Sequence, residues 1–168
     1  MTAQEKQGEI GTAERIHALR VKAARTEHEL ASELGLTIHS YCDLERHDDE
    51  IESALSIAQA LKLANLLHTD LLTLLGENEV PVRMPIARVR SALNAQLGKS
   101  AEAKELMEDT LNWDLGPFLD GSEQWTIVYT IEFIRQLATA IEVDWQVLLA
   151  GIAAETRSAA TDEGREPG

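Results

Sequence analysis

The stretch from Thr26 to Arg46 constrains the fold more than any other, because it specifies two short helices that meet at a glycine. Thr26 with Glu29 three residues later is a capping-box pair, which satisfies orphan amides at a helix start. Leu30, Ala31 and Leu34 then form one apolar stripe, and Gly35 supplies the positive φ that a tight turn between helices requires. Thr37 caps the second helix and directs Tyr41 and Leu44 inward. Ile38, His39, Cys42, Asp43 and Arg46 are left on or near its outer face. The pattern predicts a helix-turn-helix, a unit whose second helix enters the major groove in proteins that bind DNA.

The remainder reads as helical too. Leu, Ala and Glu dominate, aromatics make up 4% and only four prolines interrupt 168 residues, a balance that favours an all-α protein of one medium or two small domains. No apolar run reaches membrane-spanning length, and the N-terminus lacks the apolar core of a signal peptide. A cytoplasmic protein with no membrane partner is expected. The single cysteine, Cys42, agrees, since it cannot form an internal disulfide.

Around the motif, a first helix is expected from Thr12 or Ala13 to Ala24, with Ile16, Leu19 and Ala23 inward and Arg15, Arg20, Lys22 and Arg25 outward. After an acidic connector, 47–50, one long helix should run from Ile51 to Leu67. Its inward set is Leu55, Ala58, Leu61 or Leu63, Leu66 and Leu67. A short helix, 70–75, closes at Gly76. The run from Leu63 to Leu75, taken with Leu30-Ala31, Leu34-Gly35-Leu36-Thr37 and Leu44-Glu45-Arg46, resembles the lambda-repressor-like (XRE-type) helix-turn-helix family over residues 13–76.

The resemblance implies a five-helix domain that reads double-stranded operator DNA as a homodimer, with half-sites about 34–36 Å apart, and regulates transcription. It implies that Ile38, His39, Cys42 and Asp43 face bases, with Thr37 and Arg46 near phosphates. Two departures stand out. The set has no Gln or Asn to pair with adenine, and Glu27 occupies a position where the family often carries a phosphate-binding glutamine.

A second copy of the pattern follows a linker, 77–85. Leu137 to Leu149 repeats Leu63 to Leu75, and Leu111 to Gly121 answers Leu36 to Arg46 one residue further along. The expected architecture is two tandem five-helix lambda-repressor-like helix-turn-helix domains, 12–76 and 86–152, between a flexible arm, 1–11, and a disordered tail, 153–168. The second is degenerate. Gly116 and Pro117 fall inside its would-be reading helix and should shorten or break it. Trp113, Trp125 and Trp145 all lie in this half, which points to packing, dimerisation or partner binding.

Charge sets a competing expectation. A net charge of −14 opposes binding to a polyanion, although 13–47 is nearly neutral, with five basic against six acidic residues. An acidic helical module that docks a basic protein partner instead of DNA, as an antitoxin-like, anti-repressor-like or DNA-mimicking inhibitor would, is the alternative. The acidic run Asp48-Asp49-Glu50-Ile51-Glu52 is more readily a solvated face than a docking patch. His39, Asp43 and His47 follow at helical spacing with Cys42 beside them, but His47 falls past the expected helix end, so neither a metal nor any other cofactor is assigned. A redox role for Cys42 has only Arg46 nearby to favour a thiolate. No nucleophile-base pattern, phosphate-cradling glycine loop or carboxylate pair suggests an enzyme.

Overall fold

The computed structural model describes residues 10–77, 82–122 and 124–162, with side chains described to Ala159. Among them the regular structure is all helical. The first half contains α1 (Thr12–Lys22), α2 (Glu27–Leu34), α3 (Ile38–Leu44), α4 (Glu50–Ser53), α5 (Ile57–Leu66) and α6 (Leu71–Leu74). The second contains α7 (Ile86–Leu97), α8 (Ala101–Leu111), α9 (Gly116–Asp120), α10 (Trp125–Val128), α11 (Ile131–Ala140) and α12 (Trp145–Asp162).

The single long helix expected over 51–67 is two. Ser56 starts a new one: it is extended, its side chain accepts from the Gln59 N–H, and the Gln59 side chain accepts from the Ser56 N–H at 3.0 Å. That restart moves the buried stripe to Ile57, Ala60, Leu63, Ala64 and Leu67, leaving Ala58, Leu61 and Leu66 at its margins. The first helix ends two residues early, at Lys22, where Ala24 takes a positive φ of 53°. Two residues expected to point outward do not: Arg15 donates to the Leu74 carbonyl at 3.0 Å, and Arg20 turns toward α3.

Residues 153–162, expected to be disordered, continue α12. The reason is packing. Ile152 and Ala153 are buried, and the Glu155 carboxylate accepts from the Ile86 N–H at 2.9 Å, closing the start of α7. Gly151 sits so near the Met84 carbonyl that an added Cβ would lie 1.9 Å from its oxygen. The ends of the chain, 1–9 and 163–168, and residues 78–81 of the linker fall outside the described residues.

Helix starts recur along the chain. Thr12 and Ile86, Glu27 and Ala101, Ile57 and Ile131, and Leu71 and Trp145 are each 74 residues apart. His68 and Glu142 share that spacing and nearly the same positive φ, 55° and 57°. The register slips only in the middle, because α8 is three residues longer than α2 and the turn after it one residue longer, and it is recovered before α11.

Both halves contribute to one continuous apolar core. At the seam, α4 packs on α11, α10 on α5, and α6 on α12. Ser56 and Thr130 pair as an antiparallel bridge, and the Ile57 N–H donates to the Tyr129 carbonyl at 2.8 Å. Glu52 pairs with Arg135, whose guanidinium lies 3.7 Å from the centre of the Trp145 ring. The acidic run is thus partly consumed internally, since Asp48 also accepts from the Ala13 N–H at 2.9 Å. The aromatic residues of the second half pack mainly on one another, with Tyr129 stacked 4.1 Å from Phe133 and Phe118 edge-on to Trp125.

Candidate nucleic-acid interface

The turn between α2 and α3 forms as its residues dictate. The Thr26 hydroxyl accepts from the Glu29 N–H at 3.2 Å, while the Thr26 N–H donates to the Glu29 carboxylate at 2.7 Å. Gly35 is left-handed with φ of 69°, and the Leu36 N–H closes the end of α2 on the Ala31 carbonyl at 2.8 Å. Thr37 then caps α3 by accepting from the Ser40 N–H at 3.1 Å. Leu30, Ala31, Leu34, Tyr41 and Leu44 are buried, so the two helices are held by their inner faces and α3 shows its other side to solvent.

That outer side gathers all six residues singled out by the sequence, in unequal condition. Thr37, Ile38, His39 and Arg46 are exposed; Cys42 and Asp43 are half-buried. The Thr37 hydroxyl is shared with Ser40 at 2.8 Å. Arg46 lies 3.7 Å from Asp43, so each partly neutralises the other. The Cys42 thiol donates to Glu27 at 3.5 Å, and burial together with that carboxylate pushes its pKa up, which keeps it a thiol at neutral pH. Exposed Ser40, beside His39 in the first turn, belongs to the same surface and was not singled out, although its place after the Thr37 cap marks it as outward.

Behind this face stands a charged frame that the sequence pattern did not single out. Glu45, at the end of α3, has a side chain only 6% exposed; it accepts from Arg20 Nη2 at 2.9 Å and lies 2.6 Å from His17 Nδ1. Burial would raise the Glu45 pKa, but the hydrogen bonds with Arg20 and His17 outweigh it and hold the carboxyl below its ordinary value. Burial and the adjacent Glu45 push the Tyr41 phenol up, so it stays neutral. Arg20 is four residues after buried Ile16, and that spacing was the available signal. Arg20 also lies 3.6 Å from Glu27, Arg25 lies 3.8 Å from Glu33, and Lys62 is 3.8 Å from Glu33. The cations nearest α3 are therefore already faced by carboxylates.

The second half offers a different surface. α9 starts at Gly116 instead of being interrupted there, with Pro117 in its first turn, where the missing N–H costs nothing. It is five residues long, buries Phe118 and Leu119, and leaves Asp120 as its exposed polar side chain. No base-reading donor is displayed. His47 lies beyond the end of α3, and no cluster of three or more His, Cys, Asp or Glu side chains suited to a metal ion occurs among the described residues. A groove of about 570 Å³ opens at the seam between α5, α6, α10 and α12, where Asp70 is already committed to capping α6 through Thr73. No helix among the described residues is long and apolar enough to cross a membrane. No family model, curated protein or solved structure matches the chain.

Proposed function

We propose that the chain is a cytoplasmic, DNA-binding transcriptional regulator that lays α3 in the major groove, built from two tandem lambda-repressor-like helix-turn-helix units of which only the first reads bases. The observation that carries this reading is the α2–turn–α3 unit itself: capped at both helix starts, turned at a left-handed Gly35, and presenting Thr37, Ile38, His39 and Ser40 on one exposed first turn. His39 reads a base edge, Ile38 meets a thymine methyl group, and Thr37 and Arg46 contact phosphate. Cys42 and Asp43 border the contact. The recurrence of helix starts at 74 residues supports the tandem reading.

The pairing of Arg20, Arg25 and Arg46 with carboxylates, within a chain of net charge −14, favours a second reading: an acidic module that docks a basic protein partner and no DNA. Fluorescence anisotropy of a labelled duplex pool at about 50 and about 200 mM salt separates the two. Sequence-selective binding with a shallow salt dependence, from few phosphate contacts, is the expected result. Absence of binding to any duplex at the lower salt would overturn the DNA reading and favour the basic partner.

A further inference from the structure

We infer that the chain is its own dimer: the second half takes, against the first, the place of a partner protomer, so that one chain occupies one duplex at an asymmetric site. The two halves meet through equivalent elements. Ser56 starts α5, Thr130 starts α11, and these equivalent residues pair with each other antiparallel. α4 packs on α11 while its counterpart α10 packs on α5, and α6 packs on its own counterpart α12. Contacts that exchange in this way are isologous, the signature of a two-fold axis, here passing near Ser56 and Thr130. Repeats stacked head to tail would instead bring unlike surfaces together.

The paired surface is spent. Leu55, Ile57, Tyr129 and Ile131 flank the bridge and none exceeds 1% exposure, so this face has nothing left to offer another copy. The Glu52–Arg135 pair fastens the same junction. The halves differ where a duplex would lie. Gln59 completes the cap of α5 and donates to the Leu34 carbonyl at 3.0 Å, tying α5 to the end of α2. Its equivalent on α11, Phe133, is buried among aromatics, and Thr130 makes no side-chain cap. With α3 displaying side-chain donors and α9 displaying Asp120, a two-fold frame carries one reading head. This part of the inference rests on the DNA reading: the target contains one half-site, not a palindrome.

The test joins three experiments on the full chain. In Ser56→Cys/Thr130→Cys, paired antiparallel positions come within the ~4.4–6.8 Å Cα separation that a disulfide spans. Oxidation is expected to link residues 56 and 130 within one chain, read by peptide mapping and by a single-chain band on a non-reducing gel. Linked dimers, or no 56–130 link, would overturn the internal pairing. Sedimentation equilibrium of the unaltered protein should return 18.5 kDa at every concentration; a dimer mass would also overturn it. Native mass spectrometry with a selected duplex should then show one chain bound, unaffected by scrambling the second half-site of a palindrome. Two chains per duplex would overturn the asymmetric site. Failure of all duplexes to bind would remove the DNA reading and the asymmetric site together, while the link and the mass still decide the pairing.

Discussion

Removing the Glu45 carboxylate should loosen α3 from α1 by a measurable amount. The Glu45 side chain is 6% exposed and that of Arg20 12%, and breaking a buried pair by deleting one partner costs about 3–5 kcal/mol. Arg20 would retain Glu27 at 3.6 Å and the Arg25 carbonyl at 3.1 Å, which reduces the expected loss in Glu45→Ala to about 2 kcal/mol. For a chain of this size that lowers Tm by about 4–8 °C at neutral pH, read by circular dichroism. A cycle with Arg20→Ala should return a coupling of about 1–2 kcal/mol. The pH dependence has a defined sign. Because the folded-state pKa of Glu45 lies below its ordinary value, the stabilisation is present above the unfolded pKa and fades as pH falls through the folded one. The stability gap between the unaltered protein and Glu45→Gln should therefore narrow in acid. A loss under about 0.5 kcal/mol in Glu45→Ala, or a gap that widens in acid, would refute the frame described for α3.

Other consequences follow from single contacts. Tyr129→Phe deletes a hydroxyl that accepts from the Phe118 N–H at 3.2 Å and donates to the Asp114 carbonyl, so urea denaturation should show a loss of about 1–3 kcal/mol. Gly151→Ala places a Cβ 1.9 Å from the Met84 oxygen; about 1–3 kcal/mol should be lost, with wild-type stability counting against the close approach of α12 to residue 84. On DNA, Arg46→Ala should weaken all sequences alike, whereas His39→Ala should alter which sequence is preferred, both measured by anisotropy against a duplex library. Unchanged affinity and preference in both variants would remove α3 as the reading helix.

What the residues determined on their own is local. Thr26 with Glu29, Gly35, Thr37 and Asp70 with Gly76 act within a few positions of themselves, and the caps and turns they specify are present at those places. Inward faces of α2 and α3 were equally legible, because helical periodicity reports burial directly. The all-α class followed from composition, with Leu, Ala and Glu abundant and prolines few. The errors arose where distant partners decide. One exception is local: Ser56 with Gln59 is the same capping-box signal as Thr26 with Glu29, and it divides the apolar run 51–67 at the residue that also bridges Thr130. Residues 153–162 read as a polar tail until Ile152, Ala153 and Glu155 find α7. Arg20 reads as an outward charge until Glu45 is brought to it across 25 positions.

The candidate site divides the same way. That Ile38, His39, Cys42 and Asp43 share one face is fixed by spacing along α3, with Arg46 following two residues past its end. Their availability depended on neighbours that spacing cannot supply: Glu27 from α2 draws in the Cys42 thiol, and the carboxylates of α2 and α3 meet the arginines of α1 and its turn. The repeat at 74 residues was visible in the chain, but the two-fold way in which its copies meet was not. Local propensity specifies each helix; only the burial of apolar faces left over on both copies, Leu55 and Ile57 against Tyr129 and Ile131, decides how they pair.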